Sequence, residues 1–185
     1  MKKSAHGFTL VELLVVIAII AILAAVVVLI INPLELTRRG RDSARLTDLA
    51  NVQQAINVAV QEASAAGTNI ACAGASSTCV DRSYQGTRAT NGTGWLRVNL
   101  AVQTSVTVPT LPVDPTNTAI YHYTYCGNGD NWQIIADLES AQQIPKEGTD
   151  GGTGTGSSSY YEVGSVLNLL TGASGGGSTT CTYSP

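Results

Sequence analysis

The sequence is short of charge, of histidine and of any compact cysteine cluster. Charged residues make up 12% of its 185 positions, and downstream of Thr47 only Arg82, Arg88, Arg97 and Lys146 stand against ten acids. A broad basic surface for nucleic-acid phosphates is therefore excluded, and no nucleic-acid partner is expected. The only histidines are His6 and His122, and no Cys-x-x-Cys occurs. That arithmetic is poor for a metal centre. A hydrolytic centre is equally hard to assemble, because His122 has no evident nucleophile partner and Asp114, Asp130 and Asp137 are scattered. The chain does not read as an enzyme.

Polar residues are also missing from Leu13 to Ile31. As a helix, that run is long enough to cross a hydrocarbon core of about 30 Å. Glu12 sits at its edge, where a carboxylate is costly: about 2.5–3.5 kcal/mol at mid-bilayer on insertion scales. No polar, small-residue cleavage region follows the run, so it reads as a retained membrane helix with any cut made before it. Lys2 and Lys3 favour an inside amino end, whereas Arg38, Arg39, Arg41 and Arg45 pull the other way. Charge alone leaves the orientation open.

Beyond the apolar run, Leu46, Leu49, Gln53, Ile56, Val60 and Ala63 recur at three- and four-residue steps, which predicts an amphipathic helix. Gly67 is its expected stop. Pro33, lacking an amide hydrogen, should kink or unwind the helix between the two segments, and Gly40 adds a second soft point. From Ile70 to Gly94 the chain is small and polar and reads as a long loop. Strands are predicted at Trp95–Leu100 and Ser105–Val108, with the proline-rich Val108–Asn117 as an ordered loop. "AIYHYTYC" and "NWQIIADLE" flank "GNGD", a strong hairpin signal. Alternation puts Tyr121, Tyr123 and Tyr125 on one face, and Ile120, His122, Thr124 and Cys126 on the other. Lys146–Ser159 lacks residues that pack, "YYEVGSVLNL" is a candidate last strand, and the Gly/Ser-rich tail has Cys181 as its only anchor.

Cys72, Cys79, Cys126 and Cys181 all follow the membrane segment. Two disulfides in an oxidising compartment suit them, and of three connectivities Cys72–Cys79 with Cys126–Cys181 is favoured. The first would close a short loop; the second would tie the carboxyl end to a strand.

"KKSAHGFTLVELLVVIAIIAILAA" resembles the prepilin amino-terminal motif of type IV pilins and type II secretion pseudopilins. A short basic leader ends in Gly7, Phe8 follows, then Thr9-Leu10-Val11-Glu12 and the apolar helix. A softer similarity extends through the amphipathic helix to "LPVDPTNTAIYHYTYCGNGDNWQIIADLES", which is like the hairpin region of many pilins. The resemblance implies an α+β fold in which a long, kinked amino-terminal helix packs on a small antiparallel sheet. It divides the chain into a leader (1–7), a transmembrane and assembly half-helix (8–31), an amphipathic half-helix (32–66) and an exported β domain (67–185).

It further implies that a membrane prepilin peptidase cuts Gly7–Phe8 on the cytoplasmic side and methylates the Phe8 amine, with the leader on the cytoplasmic side and the domain outside. In a helical homo-oligomer Glu12 would meet the Phe8 amine of a neighbouring copy and set register, with Thr9 and Pro33 shaping the helix. A membrane platform protein and an assembly ATPase are the implied machinery. The expected function is a major-type pilin in a filament for adhesion, motility or uptake, first inserted as a single-pass precursor and then displayed at the cell surface. A secretion pseudopilin, or a DNA-binding minor pilin, is the alternative. Simpler roles stand beside these: Thr9 and Glu12 fit a capping box and Phe8 an interfacial anchor, while the Arg38–Arg45 cluster either pairs with acids of adjacent subunits or forms a solvated or headgroup-facing set. No cofactor is expected; some pseudopilins bind calcium, for which Asp114, Asn117 and Asp130 are the oxygen-bearing candidates.

Overall fold

The computed structural model describes residues 7–63, 70–73, 78–105, 107–151, 160–167, 169–171 and 181–182. The expected leader up to His6, the stop at Gly67 and most of the glycine-rich tract and tail lie outside these residues. The chain divides into two compact units, Met1–Thr37 and Arg38–Pro185.

In the first unit, α1 (Leu10–Ile31) is capped at its start by Thr9 and ends at Asn32, whose φ of 43° lies in the left-handed region. Asparagine tolerates that conformation because its short polar side chain bonds locally. Pro33 opens α2 (Pro33–Ala63) at the position where a missing amide hydrogen costs nothing. Asn32 therefore closes one helix and starts the next, its carbonyl accepting from Glu35 N at 3.1 Å and Leu36 N at 3.3 Å. The interruption expected at Pro33 falls one residue earlier, and α2 runs unbroken through Gly40.

The second unit is built on α2. Its buried residues are Asp42, Arg45, Leu49, Val52, Ala55, Ile56 and Ala59. The apolar stripe read from the sequence shares only Leu49 and Ile56 with this set. Leu46, Gln53, Val60 and Ala63 are half-buried beside it. The buried face is rotated because it includes two charged residues, Asp42 and Arg45, whose partners come from distant loops.

Against α2 lies a four-stranded antiparallel sheet in the order β1 (Thr78–Arg82), β2 (Thr124–Asn128), β3 (Asn131–Ala136), β4 (Tyr161–Gly164). The hairpin predicted around "GNGD" is β2–β3, with Asn128 opposite Asn131 and a two-residue turn. Gly129 has φ of 61°, which glycine adopts without strain. At Gly127 a side chain would press on the Ala71 carbonyl, 2.5 Å from where a Cβ would sit.

Leu49, Val52, Ile56, Trp95, Tyr123, Tyr125 and Trp132 fill one core between helix and sheet. Cys126, Ile135, Leu169 and Cys181 form a smaller cluster, where β5 (Leu170–Thr171) pairs in parallel with β6 (Cys181–Thr182). The alternation expected along the tyrosines holds for Tyr123 and Tyr125 in the main core against Cys126 in the second cluster. Tyr121 precedes the strand and is half-buried.

Several local expectations are corrected. Trp95–Leu100 is not a strand: only Asn99 makes a bridge, to Asn91, while Trp95, Leu96, Val98 and Leu100 are all buried. The segment enters the core as an irregular turn held by Trp95 N donating to Thr87 O at 3.0 Å and Leu100 N to Thr90 O at 2.8 Å. Ser105, Thr107 and Val108 are likewise outside any strand. The loop expected over Ile70–Gly94 contains β1, whose polar sequence is held by pairing to β2. Finally, Ile144–Gly148 is a 3-10 helix with Pro145 in its first turn and Glu147 only 5% exposed.

Candidate functional site

The amino-terminal stretch is the first candidate. Thr9 adopts an extended backbone (φ −81°, ψ 152°) and starts α1 with a complete capping box. Glu12 N donates to Thr9 Oγ1 at 3.3 Å, while Thr9 N and Thr9 Oγ1 donate to Glu12 Oε2 at 2.8 and 2.7 Å. Two amides that would otherwise be orphaned at the helix start are thereby satisfied. The box involves only residues 9 and 12, so a cut between Gly7 and Phe8 leaves it intact.

Around that cap, Phe8 is 88% exposed, and a Cβ at Gly7 would meet nothing within 4 Å. The span Leu10–Val28 has a mean hydropathy of 3.2, and none of it is buried within the chain. A helix apolar on every side needs hydrocarbon or other apolar helices around it. Length and composition suffice for a membrane crossing.

The second cluster is centred on Arg45, which is completely buried. Its Nε lies 2.6 Å from Asp114 Oδ2, one terminal nitrogen 2.8 Å from Asp42 Oδ1, and the other 2.7 Å from Glu139 Oε1. Arg41 also bonds the Glu139 carboxylate. Asp42 in turn accepts from Glu139 N at 3.0 Å and Ser140 N at 2.7 Å. The Tyr121 ring sits 5.3 Å from the guanidinium carbon, completing a cage. Burial pushes the Asp114 carboxyl up, but the Arg45 hydrogen bond and charge outweigh it and hold it below the usual range. Glu139 is held low first by its bond from Arg41.

Arg41 and Arg45, expected either to pair with acids of neighbouring copies or to face solvent or headgroups, instead pair with acids of their own domain, Arg45 fully buried and Arg41 half-buried. Sequence reasoning missed this cage. Its signals were Asp42 and Arg45 three apart on one helix face and Asp114 before Pro115.

The remaining candidates separate. Cys72 is bonded to Cys79 and Cys126 to Cys181, with Cα separations of 5.7 and 6.1 Å. Asp114 and Asn117 share a turn in which Thr116 N and Asn117 N donate to Asp114 Oδ1 at 2.8 and 3.2 Å, and the same carboxylate is engaged by Arg45. Asp130 belongs instead to the β2–β3 turn. Among the described residues no group of three or more His, Cys, Asp or Glu is placed to hold a metal ion. His122 is buried, its ring 4.7 Å from Tyr84 and Nδ1 3.2 Å from the Thr118 carbonyl.

A long apolar helix opened by a capped Thr-x-x-Glu is followed by an α+β domain, and the length and composition of that helix fit membrane insertion. Residues 2–28 match the family model described as the prokaryotic N-terminal methylation motif, so the chain carries the prepilin motif of type IV pilins and pseudopilins. The match is confined to the amino end and supports a type IV pilin-like or pseudopilin-like protein, structural rather than enzymatic. The motif implies processing by a prepilin peptidase, and with α1 it fits membrane insertion. No curated protein and no solved structure matches the chain.

Proposed function

We propose that the chain is a structural subunit of the major-pilin type in a type IV pilus. It is inserted as a single-pass precursor with the second unit outside, cut between Gly7 and Phe8, methylated on Phe8 and packed through α1 into a helical filament. The observation that carries this reading is the helix Leu10–Val28, wholly unburied within its own chain and headed by the methylation motif. Such a helix leaves lipid only for an equally apolar bundle. In that bundle a mature chain beginning at Phe8 sets its new amine close to Glu12 of a neighbour, and each group offsets part of the other's desolvation. Two disulfides brace the outer domain, which suits a filament exposed outside the cell.

Mass spectrometry of the mature amino-terminal peptide tests the processing, and electron microscopy of native cells tests the filament. A peptide beginning with methylated Phe8, in long filaments composed of this chain, is expected. A peptide beginning at Met1 overturns the processing, and processed chain confined to short periplasmic assemblies replaces the pilus with a pseudopilus.

A further inference from the structure

The cavity beside α2 belongs to neither the amino-terminal motif nor the Arg45 cage. It measures about 330 Å³ and is lined on its apolar side by Val52, Ala55, Leu100 and Val108. Two opposite charges, Asp48 and Arg88, share its wall. They make no ion pair with each other among the described residues. Asp48 Oδ2 accepts the Tyr123 hydroxyl at 3.1 Å, and Arg88 Nε donates to the Leu111 carbonyl at 2.7 Å. Asp48 Oδ1 and the terminal nitrogens of Arg88 make no further hydrogen bond among the described residues. Arg88 is exposed at the mouth, and while burial pushes the Asp48 carboxyl up, the Arg88 charge acts to lower it. The walls are held in place without a ligand. Leu111 N donates back to Arg88 O at 3.0 Å, and Trp95 Nε1 donates to Pro112 O at 2.9 Å.

We infer that this cavity binds a small zwitterion with an apolar side chain, the chemistry of a free aliphatic or aromatic amino acid. Its ammonium faces Asp48, its carboxylate faces Arg88, and its side chain lies on Val52, Ala55, Leu100 and Val108. Three observations converge on that class. The volume lies at the low end of small-molecule sites, about 300–1,000 Å³, so it suits a ligand of one residue rather than a helix or a long peptide. The two charges are of opposite sign and, though each feels the other, are not hydrogen-bonded to one another, so a ligand with one charge engages only one of them directly. The floor is apolar, so a purely polar ligand would desolvate it to no gain. This site is independent of the filament reading and stands or falls without it.

The test uses the full-length chain in lipid nanodiscs, titrated with L-phenylalanine and L-leucine by calorimetry. Trp95, bonded to the cavity wall, serves as a fluorescent reporter. Both amino acids are expected to bind saturably. Phenethylamine and 3-phenylpropanoate, each lacking one charge, should bind about tenfold more weakly or worse. Asp48→Asn and Arg88→Gln should each weaken L-phenylalanine by about the same factor, and Val108→Trp should abolish binding by filling the apolar end. If Val108→Trp does not fold, Asp48→Asn decides alone, because it is isosteric and still accepts the Tyr123 hydroxyl. No saturation, equal binding of the one-charge analogues, or unchanged binding in Asp48→Asn overturns the assignment. So does a finding that Val108→Trp alters only association between copies.

Discussion

The buried guanidinium of Arg45 meets the carboxylate of Asp114 through two bonds, Nε to Oδ2 at 2.6 Å and a terminal nitrogen to Oδ1 at 3.0 Å. The pair joins the middle of α2 to the turn leading into the hairpin, 69 residues away along the chain. Arginine suits this place because its fork satisfies several acceptors at once. Desolvation offsets much of the attraction in such a buried pair, yet losing one partner strands the other charges.

Arg45→Met should therefore destabilise the domain by about 3–5 kcal/mol, leaving Asp42 and Asp114 without their cation and Glu139 with Arg41 alone. Arg45→Lys should recover only part of that loss, because one ammonium cannot span Asp42, Asp114 and Glu139. Chemical denaturation followed by tryptophan fluorescence measures both, and equal stability of Arg45→Met and wild type would remove the cage from the account.

What the sequence made legible was local. Thr9 and Glu12 cap a helix by contacts three residues apart, and "GNGD" turns a hairpin through its own backbone preferences, so both could be read from short windows. β1 could not, because Thr78–Arg82 is polar and becomes a strand only by pairing with β2. Trp95–Leu100 misled for the opposite reason. Its alternation is that of a strand, yet consecutive Trp95 and Leu96 are both fully buried, which a strand with one solvated face does not allow. Arg45 escaped because charge normally marks the outer face of an amphipathic helix. Of the candidate sites, the amino-terminal motif was legible in full. The cavity at Asp48 and Arg88 was not, since its walls come from four separated segments.

Acidification should stabilise the domain before it harms it. Burial raises Asp137 to about 6 and both Glu147 and Glu162 to about 7. A carboxyl whose folded pKa lies above its unfolded value carries a penalty when ionised. That penalty is fully present above the folded pKa and is relieved as pH falls through it toward the unfolded value. Asp114 and Glu139 are shifted down and act in reverse, so their stabilisation is lost only at lower pH. Melting temperature should rise from pH 8 to about pH 5 and then fall. Glu162→Gln, which still accepts from Gln133, should flatten the rise; an unchanged slope would assign it elsewhere.

Removing the two disulfides should have unequal effects. Chain entropy assigns about 4 kcal/mol to the Cys126–Cys181 link, which spans 55 residues, and about 2 kcal/mol to Cys72–Cys79, which spans 7. The longer link also pins β6 to the sheet through Cys126 in β2. Paired serine substitutions compared by thermal melting should rank in that order, and a larger loss from Cys72/Cys79 would show that the short loop matters more than the carboxyl-terminal tie.

Glu12 has two roles that one substitution cannot separate and two can. As a capping residue it needs only an acceptor for Thr9 N and Thr9 Oγ1, and glutamine at that position supplies one. As the partner of a neighbouring Phe8 amine it needs the negative charge. Glu12→Ala removes both functions, while Glu12→Gln keeps the cap and discards the charge. If assembly depends on the charge, both variants should insert and be cut at Gly7–Phe8 as efficiently as wild type, yet both should be depleted from filaments. If the capped helix start is all that matters, Glu12→Gln should assemble normally and only Glu12→Ala should fail. Quantifying processed subunit in sheared filaments against membrane-retained subunit distinguishes the two, and normal piliation by Glu12→Gln would remove the intersubunit register from the proposal while leaving the processing motif untouched.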